Sequence, residues 1–246
     1  MSRKRSKTNT INTLKALKNI STVAQGQMQT LQNNYKGQLG TLKNANPLNY
    51  GPNFNFKDAK RNLDQNYRLA LFNYIESMGT IIKPMELKLE GKDNKEIIQY
   101  ASYLMMMTQH LSPQDKADFL RQELEESDNI NLDLAIRKCA SVIDQTLHGE
   151  DTLSASLELN NIIADSISDQ EKSAEIWNSM SEQLQAFKDH SGDFIEQELA
   201  NMTNDPDHIS IIENFIVGTI NNTVYNVAKS EGIQPDILAD EQPIEE

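Results

Sequence analysis

Between Leu14 and Leu42 the chain keeps a strict three-four spacing through Leu14, Leu17, Ser21, Ala24, Met28, Leu31, Tyr35, Gln38 and Leu42. Only a continuous α-helix carries such positions along one side, here as the a and d sites of a heptad repeat. Ser21 and Gln38 dilute the seam, and Gly26, Gly37 and Gly40 each cost about 1 kcal/mol relative to Ala inside a helix. A helix of this kind is marginal alone in water and becomes stable by packing on something. The spacing therefore predicts a coiled-coil-like helix over 11–43 that offers Leu14, Leu17, Met28, Leu31, Tyr35 and Leu42 to another subunit.

Residues 1–10 ahead of it are polar and basic, and read as a disordered arm carrying Arg3, Lys4, Arg5 and Lys7. These cations suit the phosphates of a nucleic acid or an acidic protein partner, without aromatic interleaving for base stacking. Residues 44–57 behind it, with two prolines and five asparagines, break the periodicity and read as an extended linker. Its Tyr50, Phe54 and Phe56 either strap back onto the body or dock on a second subunit.

Charge follows the same division. Residues 1–57 hold nine Lys and Arg and no acid; the other 189 residues hold 14 basic and all 36 acidic residues, a net of −22. Asymmetry of this size suggests two different partner surfaces, and the acidic body is a poor direct ligand for nucleic acid or anionic lipid.

From Asp58 onward the pattern is a succession of helix starts and stops. Apolar faces and caps predict helices near 58–80, 94–111 (Asp93 with Glu96), 113–126 (Ser112 before Pro113), 130–148, 151–167, 169–190 (Ser168 with Glu171) and 208–230. Gly192 reads as the stop of the sixth of these, and Asp207 as the cap of the last. No alternating run is long enough for a strand, and no fixed repeat emerges. The expected fold is all-α: an irregular helical bundle over 58–232, preceded by the arm and the amphipathic helix, with an acidic disordered tail over 233–246.

Chemistry-bearing patterns are sparse. The single cysteine, Cys139, excludes a disulfide framework within the chain, suits a reducing compartment, and in its apolar setting reads as a buried structural thiol. His110, His148, His190 and His208 lie far apart near predicted helix ends, and no HExxH, Glu-x-x-His, phosphate-loop or nucleophile-elbow motif occurs. Neither metal, cofactor nor catalytic residues are assigned. The Leu104-Met105-Met106-Met107 run is assigned to the core, because helical periodicity already accounts for Leu104 and Met107, although methionine-rich patches also serve as adaptable binding surfaces. Trp177, with Ile176, Met180 and Leu184, is likewise assigned to the core.

The expectation is a non-catalytic, oligomeric assembly protein, with a virion structural or scaffolding component as one instance, engaging protein subunits or nucleic acid through its N-terminal arm and helix. The alternative is a nucleic-acid-associated regulator with a partner-recruiting acidic body, and the third reading is a small enzyme with a scattered site. No apolar run approaches a membrane span and no secretory apolar core opens the chain, so the expected location is the cytoplasm or a virion particle. The acid-free residues 2–24 keep mitochondrial import as an alternative.

Overall fold

The computed structural model describes residues 7–44, 54–89, 91–147, 152–205 and 208–238. Among these the protein is all-α: α1 (Thr8–Lys43), α2 (Phe56–Ile81), α3 (Asn94–Thr108), α4 (Pro113–Glu126), α5 (Ile130–Thr146), α6 (Leu153–Asp165), α7 (Asp169–Asp189), α8 (Ser191–Asn204) and α9 (Ile211–Ser230), then a 3-10 turn at Pro235–Leu238. The chain divides into a central unit, 86–174 with 1–10, and a flanking unit, 11–85 with 175–246. The expected single body over 58–232 is thus two compact units, and the long N-terminal helix is an integral part of one of them.

Helix starts follow the cap chemistry. Ser112 accepts the Asp115 N–H with Pro113 beginning α4, and at α7 the Ser168 N–H donates to Glu171 while the Glu171 N–H donates to the Ser168 hydroxyl, a reciprocal box. Asp93 caps α3, but its own N–H donates to Asn131 Oδ1 at 2.8 Å instead of to Glu96. Two starts differ from expectation. Ser210 caps α9 through the Glu213 N–H at 3.0 Å, so α9 begins at Ile211, while Asp207 lies outside the described residues. Gly192 does not end a helix; it lies inside α8, which follows α7 after His190 alone and turns Ile195, Glu198, Leu199 and Met202 inward.

In the flanking unit, α1 lies in the core. Leu14, Leu17, Ala24, Met28 and Tyr35 are buried in one cluster with Leu71 and Met78 of α2, Met180 and Leu184 of α7, Leu199 and Met202 of α8, and Ile216 and Ile220 of α9. The Tyr35 and Tyr67 rings stack at 4.5 Å, and Phe187 stacks on Phe215 at 4.1 Å. Ile233 and Leu238 close the same core, so the stretch expected to begin a disordered tail is packed as far as Leu238. Half-buried Trp177 rests on this cluster and donates its indole N–H to the Lys83 carbonyl at 2.9 Å.

In the central unit, a second cluster joins Leu104 of α3, Ala117 and Leu120 of α4, Ile136 and Cys139 of α5, and Leu159 and Ile162 of α6. Ion pairs cross its rim: Arg121 of α4 holds Glu158 and Asp165 of α6, both at 2.6 Å, and Arg137 of α5 holds Glu171 of α7 at 2.7 Å. Burial pushes the Glu171 pKa up, but Arg137 and the Ser168 hydrogen bonds outweigh it and hold the carboxyl below its ordinary value. Asp169 accepts the Asn9 and Thr10 N–H groups, at 2.6 and 3.0 Å, supplying the first turn of α1 with the cap its own sequence lacks.

Candidate functional site

The seam predicted to face another subunit is occupied within the chain. Leu14, Leu17 and Met28 have no exposed surface and Tyr35 has 2%. Tyr35 donates its hydroxyl to Asp64 of α2 at 2.8 Å, and burial as the leading cause pushes its pKa up to about 12. Leu31 and Leu42 are half-buried at the margin of the same core. Each borders an open cleft between α1 and α2: one of about 570 Å³ bounded by Val23, Gly26, Leu31, Ala70 and Tyr74, the other of about 330 Å³ bounded by Gln38, Leu42, Ala59 and Leu63.

The physical reason is that the apolar stripe finds its partners inside the unit, with ion pairs between two stretches of the chain at its margin. Within the flanking unit, residues 11–85 carry nine basic and three acidic residues, whereas 175–246 carry two basic and fifteen acidic. The two stretches pair with one another: Arg68 with Glu196 at 2.7 Å, Lys188 with Glu76 at 2.8 Å, and Lys18 on the Leu238 carbonyl at 2.9 Å. Arg68 is thus answered by an acid of the second stretch inside the unit. Each exposed pair contributes little alone, and the buried seam contributes most.

Between α1, α8 and α9 stands one fully buried acid, Glu198. Its oxygens accept from Gln32 Nε2 at 3.2 Å and from the Ile211 N–H at 2.8 Å, and His208 Nε2 lies 3.4 Å away. This is a carboxylate at a helix N-terminus, tying α8 to α9 and to α1. The neighbouring Tyr67 hydroxyl is buried without a hydrogen-bond partner among the described residues, and burial, then the Glu198 charge, raises its pKa.

Of the other sequence-assigned residues, Lys7 is exposed beside the start of α1, Phe54 is half-buried, and Phe56 is exposed as the first residue of α2. Arg3, Lys4, Arg5, Tyr50 and His148 lie outside the described residues. Cys139 is buried, donates to the Ala101 carbonyl at 3.5 Å, and has its pKa pushed up to about 11 by burial, the opposite of an activated thiol. No set of three potential metal ligands converges among the described residues, and none of their helices is long and apolar enough to cross a membrane.

What the sequence reasoning misplaced is the methionine run. Helical geometry turns Ile97, Ala101, Leu104 and Thr108 toward the central core, where Leu104 and Thr108 are buried. The same geometry leaves Ile98, Tyr103, Met105, Met106 and Met107 outside, each between 40% and 63% exposed, with Leu111 just beyond the helix end. The run from 97 to 114 contains no Asp, Glu, Lys or Arg, in a chain where a quarter of the residues are charged. Concentrated apolar exposure with depletion of charge is the composition of an interface core, and flexible, polarisable methionine adapts to varied partner shapes.

The platform beneath this face is ordered. Glu96 accepts from Tyr100, Asn129 and Asn131 at 3.0, 3.2 and 2.5 Å, fixing the start of α3 to the start of α5. A fixed helix presenting mobile side chains lets a partner bind without ordering backbone. Comparison with known proteins gives no matching family model, no matching curated protein and no matching solved structure.

Proposed function

We propose that the chain is a non-catalytic helical interaction protein whose central unit docks a protein partner through the outer face of α3, as a component of a larger assembly. The observation that carries this reading is the charge-free surface of Ile98, Tyr103, Met105, Met106 and Met107 on a helix whose opposite side is already buried. An unpartnered apolar face on a charged, ordered domain marks a binding surface. The buried state of the α1 seam moves the proposed interface away from the N-terminal helix to the middle of the chain.

Brief hydroxyl-radical footprinting, in intact cells and on the purified chain, tests this. The purified protein should convert Met105, Met106 and Met107 to sulfoxide readily, together with the exposed Met85 of the flanking unit. In cells the three α3 methionines should be protected several-fold while Met85 is not. Equal oxidation at all four methionines in both settings would remove the docking reading.

A further inference from the structure

We infer that Met105, Met106 and Met107 form a reversible oxidation switch, in which a hydroperoxide converts the α3 face to sulfoxides and so undoes docking there. This rests on the docking reading above and adds its regulation. The basis is the placement of sulfur in the chain. Met28, Met78, Met180 and Met202 are at most 1% exposed and belong to the core of the flanking unit. The stretch 86–174 has three methionines, and these are Met105, Met106 and Met107, all on the outer side of α3. The buried core of the central unit uses Leu, Ile and Ala instead, with Cys139 as its one sulfur. That thiol is buried, and burial pushes its pKa up to about 11, so it offers almost no thiolate to an oxidant. A hydroperoxide arriving from solvent therefore meets three open thioethers on the docking face and no other reactive sulfur in this unit.

Each oxidation is a two-electron oxygen transfer. The thioether sulfur attacks one peroxide oxygen, and the S–O bond forms as the O–O bond breaks. The departing hydroxide takes the proton from the transferred oxygen and leaves as water, so the sulfur is oxidised and the peroxide reduced. A flexible apolar side chain becomes a polar, chiral one. Because the 97–114 stretch carries no Asp, Glu, Lys or Arg, a partner is held there by apolar contact, and three of the five side chains that provide it turn polar. No core side chain is altered, so the fold persists, and the exposed sulfoxides stay open to thiol-dependent methionine sulfoxide reductases that regenerate the thioether.

Hydrogen peroxide is the probe. On the purified full chain, peptide mass spectrometry should find sulfoxide at Met105, Met106, Met107 and the exposed Met85 several-fold sooner than at Met28, Met78, Met180 and Met202, with an unchanged circular dichroism spectrum. In cells, brief hydroxyl-radical footprinting at Tyr103, a neighbour that peroxide itself leaves alone, reports occupancy of the face. Tyr103 should be protected before peroxide, exposed after it, and protected again on recovery. The Met105→Leu, Met106→Leu, Met107→Leu triple variant keeps the face apolar without oxidisable sulfur, so its Tyr103 should stay protected throughout, whereas Met85→Leu should respond as the wild type does. Core methionines oxidised as fast as the α3 ones, continued protection of wild-type Tyr103 after peroxide, or equal loss of protection in the triple variant overturns the switch and leaves the docking reading standing. Tyr103 open in untreated cells removes both.

Discussion

Two long charge-free stretches of this chain, 19–35 in α1 and 97–114 around α3, meet opposite fates. In α1 the large residues recur at three-four spacing on one side and Gln, Asn and Thr fill the other, so one packed face disposes of nearly all the apolar surface. In α3 the large residues surround the axis. Burying Leu104 and Thr108 leaves Met106 and Ile98 on the far side whatever the helix packs on. A periodic stripe therefore reports one buried face, whereas an unbroken apolar run on a helix reports two, of which a small domain covers only the first.

The sharpest way to break that contrast is to put charge into the stripe. Leu17→Asp with Leu31→Asp should abolish the cooperative unfolding transition of the flanking unit, because Leu17 is fully buried and an unpaired carboxylate there costs more than about 4 kcal/mol. Unchanged thermal melting would mean that α1 is dispensable to its own unit.

Somewhat smaller is the effect expected at Glu198. Glu198→Ala strands the Gln32 amide and the Ile211 N–H, at about 1–3 kcal/mol for each unsatisfied group, and leaves a cavity besides. Chemical denaturation of the flanking unit should show this loss, and a change under about 0.5 kcal/mol would mean that the buried acid is not organising the α8–α9 junction.

In the central unit the corresponding electrostatic element is Arg137 with Glu171. A carboxyl held below its ordinary pKa stabilises the fold fully above the unfolded Glu value of about 4.3, and that stabilisation is lost as pH falls through the lower folded value. Melting followed from pH 6 down through the acid range should fall less steeply for Arg137→Met than for the wild type. Identical pH profiles would remove this pair from the acid response.

These elements show what sequence makes legible. The Ser112 and Ser168 caps could be read directly because capping is decided within four residues. The α1 stripe was legible as a stripe, but its partners were not, since the apolar residues of α7, α8 and α9 that cover it lie more than a hundred residues away, and nothing local marks Glu196 as the mate of Arg68 on α2. Helix α8 was missed because Gly192 resembles a stop, and the signal that could have revealed the helix was the Ile195, Leu199, Met202 spacing beyond it. The exposed face of α3 was missed because periodicity accounts for Leu104 and its neighbours across the turns and says nothing of the methionines between them. The uncharged run from Ile97 to Gln114 was the available clue.

The smallest expected effect is the most telling. The central claim is that the methionine face exists for a partner and not for folding, and the unfolding free energy of the Met105→Gln, Met106→Gln, Met107→Gln triple variant measures it directly. Because all three side chains are 40% exposed or more, urea denaturation of the monomeric chain should place the variant within about 0.5 kcal/mol of the wild type. A loss of about 2–5 kcal/mol or more, the cost of truncating a buried core methionine, would show that these side chains belong to the core and contradict the account.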